Sequence, residues 1–183
     1  WNNDSKHVNI YIKIDEGQKY YLRNITWVGN TVYTTDYLNN IFGMKKGDAY
    51  NQKLIHKRLN EDEDAAANLY YNNGYVFSSI NPTEVNIVSD SIDLELRVIE
   101  GPQAYLSHVR INGNDRLYEN VVRRELRTKP GDLFSKEALM RSVRELASMG
   151  HFDPEKINPD VKPSPEDGTV DVNYNLVQKS NDQ

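Results

Sequence analysis

Hydrophobic and polar residues alternate in several short stretches of the chain, and this period of two predicts β-strands. Apolar side chains share one strand face in Ile25–Trp27 and again in Val109–Ile111. The clearest alternation is Ile92–Val98, in which Ile, Leu and Val alternate with Asp, Glu and Arg. Each of the first two stretches runs into Gly-Asn, which predicts a turn at the end of the strand.

A spacing of four residues then predicts two helices after each opening strand. The first is predicted from about Thr34 to Phe42, with Thr34 or Thr35 as its N-cap and with Leu38 and Phe42 on one face. The second helix has one signature in both halves of the chain: a polar N-cap, an aromatic residue before it, an aliphatic residue four positions after it and a glycine at the end. These places are taken by Asn51, Tyr50, Ile55 and Gly74 in the first half and by Ser135, Phe134, Leu139 and Gly150 in the second.

The elements occur twice because the sequence repeats itself. The segment Y-L-x-x-I-x-W-x-G-N that begins at Tyr21 recurs at Tyr105 as Y-L-x-x-V-x-I-x-G-N, 84 residues later. At the same offset, the turn K-G-D-x-Y at Lys46 recurs at Pro130 as P-G-D-x-F. Matching blocks in one order indicate tandem structural repeats.

The remaining matches lie at the ends of the repeats. Ile92–Val98 matches Val170–Leu176, and the N-terminal Val8–Gly17 matches the same final strand together with its E-G ending. We therefore expect residues 1–17 to contain the last strand of a preceding unit. The first repeat has eight more residues than the second before its closing glycine, Gly74, and we expect them to make its second helix long.

The strand before the final one contains Pro82 in the first repeat, and Pro159 and Pro163 in the second. Proline cannot donate a backbone hydrogen bond, so these strands are predicted at a sheet edge, each joined to the final strand as a hairpin. The prediction is an α+β fold of tandem βααββ units over residues 18–101 and 102–179. Each unit is expected to be a three-stranded mixed sheet packed on two helices.

The composition excludes several classes of protein. The 183 residues include no cysteine, which excludes zinc–thiolate sites, iron–sulfur clusters and disulfides. A net charge of −5 argues against nucleic acid as a partner. No apolar run reaches the roughly 20 residues that a membrane-spanning helix needs. The four histidines are scattered and no catalytic motif is present, so we predict no enzyme, no metal site and no cofactor.

In this order, the repeated motifs resemble POTRA domains. The resemblance is carried by the Y-L-x-x-[IV] opening strand, the G-D turn, the L-x-x-x-G end of the second helix and the E-G junction. Such domains stand in tandem in the periplasm, ahead of the outer-membrane β-barrel of BamA-type assembly factors. Asn120–Arg127 and Leu146–Phe152 are similar to the barrel-proximal unit. The tail Leu176–Gln183 resembles the exit into the first barrel strand, so residues 180–183 are expected to form an exit segment.

The resemblance implies a binding function in the periplasm of a Gram-negative cell: guidance of unfolded outer-membrane proteins to the barrel and docking of accessory lipoproteins. The residues suggest a mechanism, because an edge strand exposes unpaired backbone groups with which an extended peptide of any sequence can pair. Our candidate edge strand comprises Thr83, Glu84, Val85, Asn86, Ile87 and Val88. The corresponding edge around Ile157–Val161 contains proline and is expected to accept a peptide less well.

Other interpretations of the same residues stay open. The edge strand could be guarded and bind nothing, which would make the units a structural spacer, or the fold could serve another barrel-linked secretion or translocation-assembly protein. A basic cluster of Arg123, Arg124 and Arg127 is predicted on the first helix of the second unit, where it could meet an acidic partner, lipid headgroups or only solvent. The acidic run Glu61–Asp64 is predicted to be a solvated helix face.

Overall fold

A computed structural model of the chain describes residues 10–15, 17–113 and 119–180. They contain two successive units, each with an opening strand, then helices, then two strands. The first unit comprises β1 (Tyr21–Val28), α1 (Thr35–Phe42), α2 (Gln52–His56), α3 (Ala66–Asn72), β2 (Ser79–Val88) and β3 (Ser91–Ile99). The second comprises β4 (Tyr105–Asn112), α4 (Glu119–Glu125), α5 (Lys136–Ser148), β5 (Asn158–Ser164) and β6 (Thr169–Asn175). A π-helical turn, Lys57–Glu61, continues α2, and a 3-10 turn, Pro154–Lys156, precedes β5.

Each unit contains one three-stranded sheet with its last strand at the centre. The order is β1-β3-β2 in the first sheet and β4-β6-β5 in the second. The central strand pairs in parallel with the opening strand and antiparallel with the proline-containing strand. The predicted α+β fold of two mixed sheets is therefore confirmed, and Pro82, Pro159 and Pro163 all lie in edge strands.

The helices of each unit cover one face of its sheet, so each unit has a hydrophobic core of its own. In the first core, the buried side chains of β3 pack with Leu38 and Phe42 of α1 and with Ile55 of α2. The second core repeats this arrangement, with the buried side chains of β6 packed with Val122 of α4 and Leu139 of α5. The apolar half of each alternating strand thus faces the helices, as the period of two predicts.

The predicted starts of three helices are confirmed. The side-chain oxygens of Thr34, Asn51 and Ser135 each accept a hydrogen bond from the backbone N–H three residues later, at 3.2 Å in each case. These bonds satisfy donors that have no partner within the first turn of a helix.

The second helix of the first unit is broken, so the prediction that its eight additional residues lengthen it was wrong. The π-turn ends at Glu61, Asp62 is extended with a ψ of 149°, and α3 begins at Ala66. The Asn68 side chain donates to the carbonyl oxygens of Asp62 and Glu63, at 2.9 and 3.3 Å. These bonds replace partners that a continuous helix would have supplied. The acidic run Glu61–Asp64 is therefore the site of the break and not a helix face.

A glycine follows each opening strand because the backbone at the end of the neighbouring central strand lies against it. A β-carbon on Gly29 would lie 2.2 Å from the Val98 carbonyl oxygen, and one on Gly113 would lie 1.9 Å from that of Leu176. Both glycines also have a positive φ, 89° and 80°. The repeated Gly-Asn motif thus has a steric cause in both units, although Asn114 itself lies outside the described residues.

The predicted strand at Val8–Gly17 falls only partly within the described residues. Ile10–Asp15 and Gly17 belong to no strand, and Ile10, Ile12 and Ile14 are 74–78% exposed. Pairing of this segment in a preceding unit stays a prediction. So do the unit boundaries and the exit segment 180–183, of which only Ser180 is described.

The two units meet where α3 ends and α5 begins. The Leu133 side chain lies over Gly74, and the Ala104 N–H donates to the Gly74 carbonyl oxygen at 2.8 Å. The Asn72 side-chain oxygen accepts from the Glu137 N–H at 2.9 Å, so a residue of the first unit caps a helix of the second. The partly buried Tyr71, Val76 and Phe77 of the first unit pack against the second core.

Candidate functional site

One margin of the first sheet is covered by the chain itself. The G-D segment after α1 runs beside β1: the Leu22 N–H donates to the Asp48 carbonyl at 2.8 Å, and the Gly47 N–H donates to the Leu22 carbonyl at 2.7 Å. Leu106 makes the same two bonds with Asp132 and Gly131 in the second unit, at 2.8 and 2.7 Å. The repeated G-D motif therefore pairs with the opening strand of each sheet and occupies part of its outer margin.

Along β2, the other margin of the first sheet, the part of the chain that the structure describes provides no such cover. Within the described ranges, no loop or turn outside the sheet forms a backbone hydrogen bond with Ser79–Val88. The predicted edge residues Thr83–Val88 all lie in this strand, and Val85, Ile87 and Val88 are 46–53% exposed. The strand therefore presents unpaired backbone groups and apolar side chains at the same place.

A β-bulge interrupts this margin at Val85, which the sequence did not predict. Glu84 pairs with Leu94 of β3 and Asn86 pairs with Asp93, so Val85 has no partner of its own in the register. A bulge bends a strand and increases its twist. The six predicted residues therefore do not form one uniform edge but two short segments on either side of Val85.

A groove of about 370 Å³ lies between β2 and the start of α2. Its lining residues are Tyr50, Gln52, Ile55, Pro82, Thr83 and Glu84. The Tyr50 hydroxyl donates to the Glu84 carboxylate across this groove. Burial raises the pKa of Tyr50, and the hydrogen bond to Glu84 raises it further, so the hydroxyl remains a donor. The sequence pattern identified Tyr50 and Ile55 only as the hydrophobic pair that flanks the start of a helix. Their position beside β2 depends on the tertiary fold.

The corresponding edge strand of the second unit contains two prolines. Pro159 pairs with Tyr174, Val161 with Val172 and Pro163 with Val170. The three residues occupy alternate positions and therefore direct their backbone groups to the same side. Since proline has no N–H, two of these three positions lack a donor.

Two of the three arginines in the basic cluster have an acidic neighbour within the second unit. Arg123 forms an ion pair with Glu119 at 2.9 Å and donates to the Val109 carbonyl at 3.0 Å. Arg123 and Arg124 lie on α4 as predicted, but this helix ends at Glu125, so the prediction that Arg127 also lies on it was wrong. Arg127 approaches Glu145 of α5 at 3.7 Å, whereas Arg124 is exposed on α4.

Among the described residues, no three His, Cys, Asp or Glu side chains are grouped so that they could hold a metal ion. Within those residues, no helix has the length and apolar character needed to cross a membrane. The uncovered margin of β2 and the groove beside it are therefore our candidate functional site.

A comparison with protein families identifies the repeat. The family model POTRA, described as a surface antigen variable number repeat, matches residues 20–101 and again residues 104–179. A protein of Treponema pallidum that is named as an outer membrane protein assembly factor is 28% identical over 94% of this chain. The outer membrane protein assembly factor BamA of Neisseria meningitidis serogroup B is 27% identical over 98% of it. The matches cover 20% and 22% of those two proteins, so the chain spans about a fifth of their length.

Solved structures show the same fold. POTRA domains 3–5 of Haemophilus influenzae BamA match 87% of this chain and 61% of that structure, with a TM-score of 0.71 and 19% identity. BamA of Haemophilus ducreyi without POTRA domains 1–3 matches 87% of this chain and 30% of its own, with a TM-score of 0.70 and 18% identity. The family model matches the chain twice, and the two matches together cover most of it. This chain therefore belongs to the POTRA family, as a tandem pair of the BamA type.

Proposed function

We propose that the two units lie in the periplasm, ahead of the β-barrel of an outer-membrane protein assembly factor, and bind unfolded outer-membrane proteins. The names of the relatives support a part in assembly. The observation that carries the binding step is the uncovered margin of β2, the opposite margin of the same sheet being partly occupied by the G-D segment. An unfolded barrel strand is extended, so it can add to this margin through backbone hydrogen bonds that do not depend on its sequence.

The register indicates which backbone groups of β2 point outwards. In an antiparallel pair, alternate residues direct both backbone groups towards the neighbouring strand and the others direct them away. Pro82 has no N–H and fits the outward class, which by register also includes Ile80, Glu84 and, beyond the bulge, Ile87. Within Thr83–Val88, Glu84 and Ile87 therefore supply the N–H groups to which an added strand would bind.

The second unit is the weaker acceptor in this proposal. Of the three alternate positions Pro159, Val161 and Pro163 on β5, only Val161 retains an N–H. An added strand would thus find one donor there, separated from the next by proline on both sides.

The groove beside β2 supports the proposal further, because side chains of an added strand point alternately to its two faces. Those on the helix side would enter the groove between Tyr50 and Pro82, and those on the other side would reach the open face of the sheet. Apolar and polar residues line this groove together, which suits the mixed side chains of barrel strands.

Docking of accessory lipoproteins is a second part of the proposal, and the second unit carries its candidate surface. Arg123 and Arg127 already have acidic neighbours within the unit. Arg124, exposed on α4, is therefore the member of the cluster most able to pair with an acidic partner, at a strength typical of surface ion pairs.

The test is a titration of isotope-labelled protein with a peptide copied from an outer-membrane barrel strand, followed by amide NMR. We expect the largest shifts between Thr83 and Val88. Ile87→Pro removes one outward N–H and should weaken binding by about 5- to 10-fold, the value of one backbone hydrogen bond. Ile87→Ala is the matched control, because it shortens the same side chain and keeps the N–H.

Shifts confined to the helices or to β5 would refute binding at this margin. Equal affinities of the proline and alanine variants would show that backbone pairing at Ile87 does not contribute. Normal barrel assembly in cells that carry Ile87→Pro would favour the structural spacer instead.

A further inference from the structure

We propose that Glu84 makes the margin of β2 selective for extended segments that carry a lysine or an arginine opposite it. This preference rests on the proposed function, in which an unfolded strand adds to β2, and it names the class of strand that binds best. Addition through backbone hydrogen bonds is open to any sequence, so selection has to come from a side chain at the margin.

The register places the Glu84 side chain beside an added strand. Glu84 pairs with Leu94 of β3, whose side chain is buried against the helices, so both side chains lie on the helix face of the sheet. The backbone groups of Glu84 point away from β3, as do those of Pro82 two positions earlier. A residue directly opposite Glu84 on an added antiparallel strand would therefore lie on the same face, with its β-carbon about 5 Å away.

The fold holds this carboxylate in the groove between β2 and α2. The hydroxyl of Tyr50, the residue before the N-cap of α2, donates to Oε1 of Glu84. Both residues line the groove of about 370 Å³, together with Pro82 and Thr83. A carboxylate accepts several hydrogen bonds, so Glu84 can bind Tyr50 and a donor from an added strand at the same time.

The second unit has an apolar pair at the equivalent places. Phe134 stands 84 residues after Tyr50 and is buried. Val161 occupies the place of Glu84, because it pairs with the matching position of the central strand, and it packs against the second core. The shared fold therefore forms without a hydroxyl and a carboxylate here, which leaves the polar pair of the first unit to serve binding.

A cation is the class of side chain that complements Glu84. Opposite charges directly across two strands stabilise the pairing, and like charges destabilise it. The hairpin of β2 and β3, Ser79–Ile99, contains four acidic residues and one basic residue, so it attracts cationic segments as a whole. The aliphatic stem of a lysine or an arginine would lie along the groove beside Pro82, with the charged end at Glu84.

The test uses peptides of about ten residues, the length of a barrel strand, in which threonine and valine alternate around a central lysine, glutamine or glutamate. Amide NMR titration of the 183-residue chain gives their affinities. We expect the lysine peptide to bind about 2- to 5-fold more tightly than the glutamine peptide, and the glutamate peptide to bind more weakly by a similar factor.

The position of the lysine provides a second readout. Moving it by two residues in the peptide should shift the bound register by two, so that the lysine again lies opposite Glu84 in intermolecular NOEs. Long-range attraction alone would leave the register unchanged, and this result would overturn the proposal.

Variants of the chain assign the preference to one carboxylate. Glu84→Gln should give the three peptides the same affinity, and Glu84→Lys should reverse their order. Glu95→Gln is the matched control, because it changes the net charge equally but lies on the open face of the sheet, where Glu95 pairs with Thr83. An order that survives in Glu84→Gln, or that is lost in Glu95→Gln, would contradict the proposal.

The remaining outcomes separate this preference from the proposed function. Equal affinities of the three peptides for the unaltered chain would overturn the preference and leave strand addition in place. Tighter binding of all three peptides alike to Glu84→Gln would make Glu84 a general guard of the edge and would also overturn it. If none of the peptides binds at Thr83–Val88, both the preference and the client-binding step are refuted.

Discussion

At the scale of single residues, glycine has different roles in motifs that look alike. Gly29 and Gly47 both have a φ near 90° and both stand in motifs that recur in the second unit. The backbone at the end of the central strand lies against Gly29, whereas a β-carbon on Gly47 would meet no described atom within 4 Å. The first glycine is thus required by a backbone contact as well as by its conformation, and the second by conformation alone.

Gly29→Ala should therefore destabilise the first unit more than Gly47→Ala. The alanine at position 47 costs about 1–2 kcal/mol of unfolding free energy for its left-handed backbone. At position 29 the clash with the Val98 carbonyl adds to this, and we expect a total of at least about 3 kcal/mol. Urea denaturation followed by circular dichroism measures both values. Equal losses of unfolding free energy in the two variants would mean that the backbone at Val98 moves away from the new methyl group without an energetic penalty.

The Glu100 side chain joins three segments of the first unit. The Glu100 carboxylate accepts from the N–H groups of Thr31 and Val32, at 2.9 and 3.0 Å, and from the Tyr70 hydroxyl at 2.8 Å. Burial alone would raise the pKa of Glu100, but these hydrogen bonds outweigh it and lower the pKa. The E of the E-G junction is therefore a structural anchor, a role that the motif alone did not indicate.

At the scale of elements, the same device recurs in both sheets. The register of β1 and β3 shifts between Leu22 and Ile25, where the Asp93 carboxylate accepts from Arg23 at 2.8 Å and from the Asn24 N–H at 3.2 Å. In the second unit, the register shifts after Leu106, and Asp171 accepts from Ser107 there. In each unit, a carboxylate on the central strand thus holds a bulge in the strand parallel to it.

This device predicts a pH dependence of stability. The side-chain hydrogen bond from Arg23 lowers the pKa of Asp93 from 3.8 to about 2. Because the folded pKa lies below the unfolded one, the stabilisation is present above about pH 4 and is lost as the pH falls towards 2. Asp93→Asn should therefore flatten the rise of unfolding free energy between pH 2 and 4. Asp90→Asn, in an exposed turn, is the control and should keep the original slope.

The same elements show what sequence could predict and what it could not. The strands of the two sheets, the capped starts of three helices and the edge positions of the prolines follow from local patterns, so they were predicted correctly. The break before Ala66 depends on Asn68 reaching back to Asp62, which the extra length of the first repeat does not reveal. The bulge at Val85 was not predicted for a similar reason, because it arises from the pairing of β2 with β3.

At the scale of the whole molecule, hydrogen bonds at the joint couple the first unit to the second. The start of α5 has two caps, Ser135 from its own unit and Asn72 from the other. Lys136 adds a bond to the Asn68 side chain at 2.7 Å. Periodicity within a repeat carries no information about contacts between repeats, so the Ser135 cap was predicted from the sequence, whereas the bonds from Asn72 and Asn68 to the second unit were not.

Asn72→Ala should weaken this coupling. Loss of the acceptor for the Glu137 N–H should lower the stability of the second unit by about 0.5–1 kcal/mol, as for other helix caps. Asn73→Ala is the matched control, since the Asn73 side chain bonds within the first unit to the Leu69 carbonyl. Hydrogen exchange of α5 measures the effect. If α5 exchanges alike in both variants, the second cap contributes nothing.

The contact of Leu133 with Gly74 also has a consequence for how such arrays can be rearranged. At the position that matches Leu133, the first unit carries Ala49, which is exposed. In a chimera with the two units in reversed order, the methyl group of Ala49 would therefore lie where the isobutyl group of Leu133 now fills the contact between the units. Modules that look interchangeable by their shared architecture are thus matched to a particular neighbour by the size of one side chain.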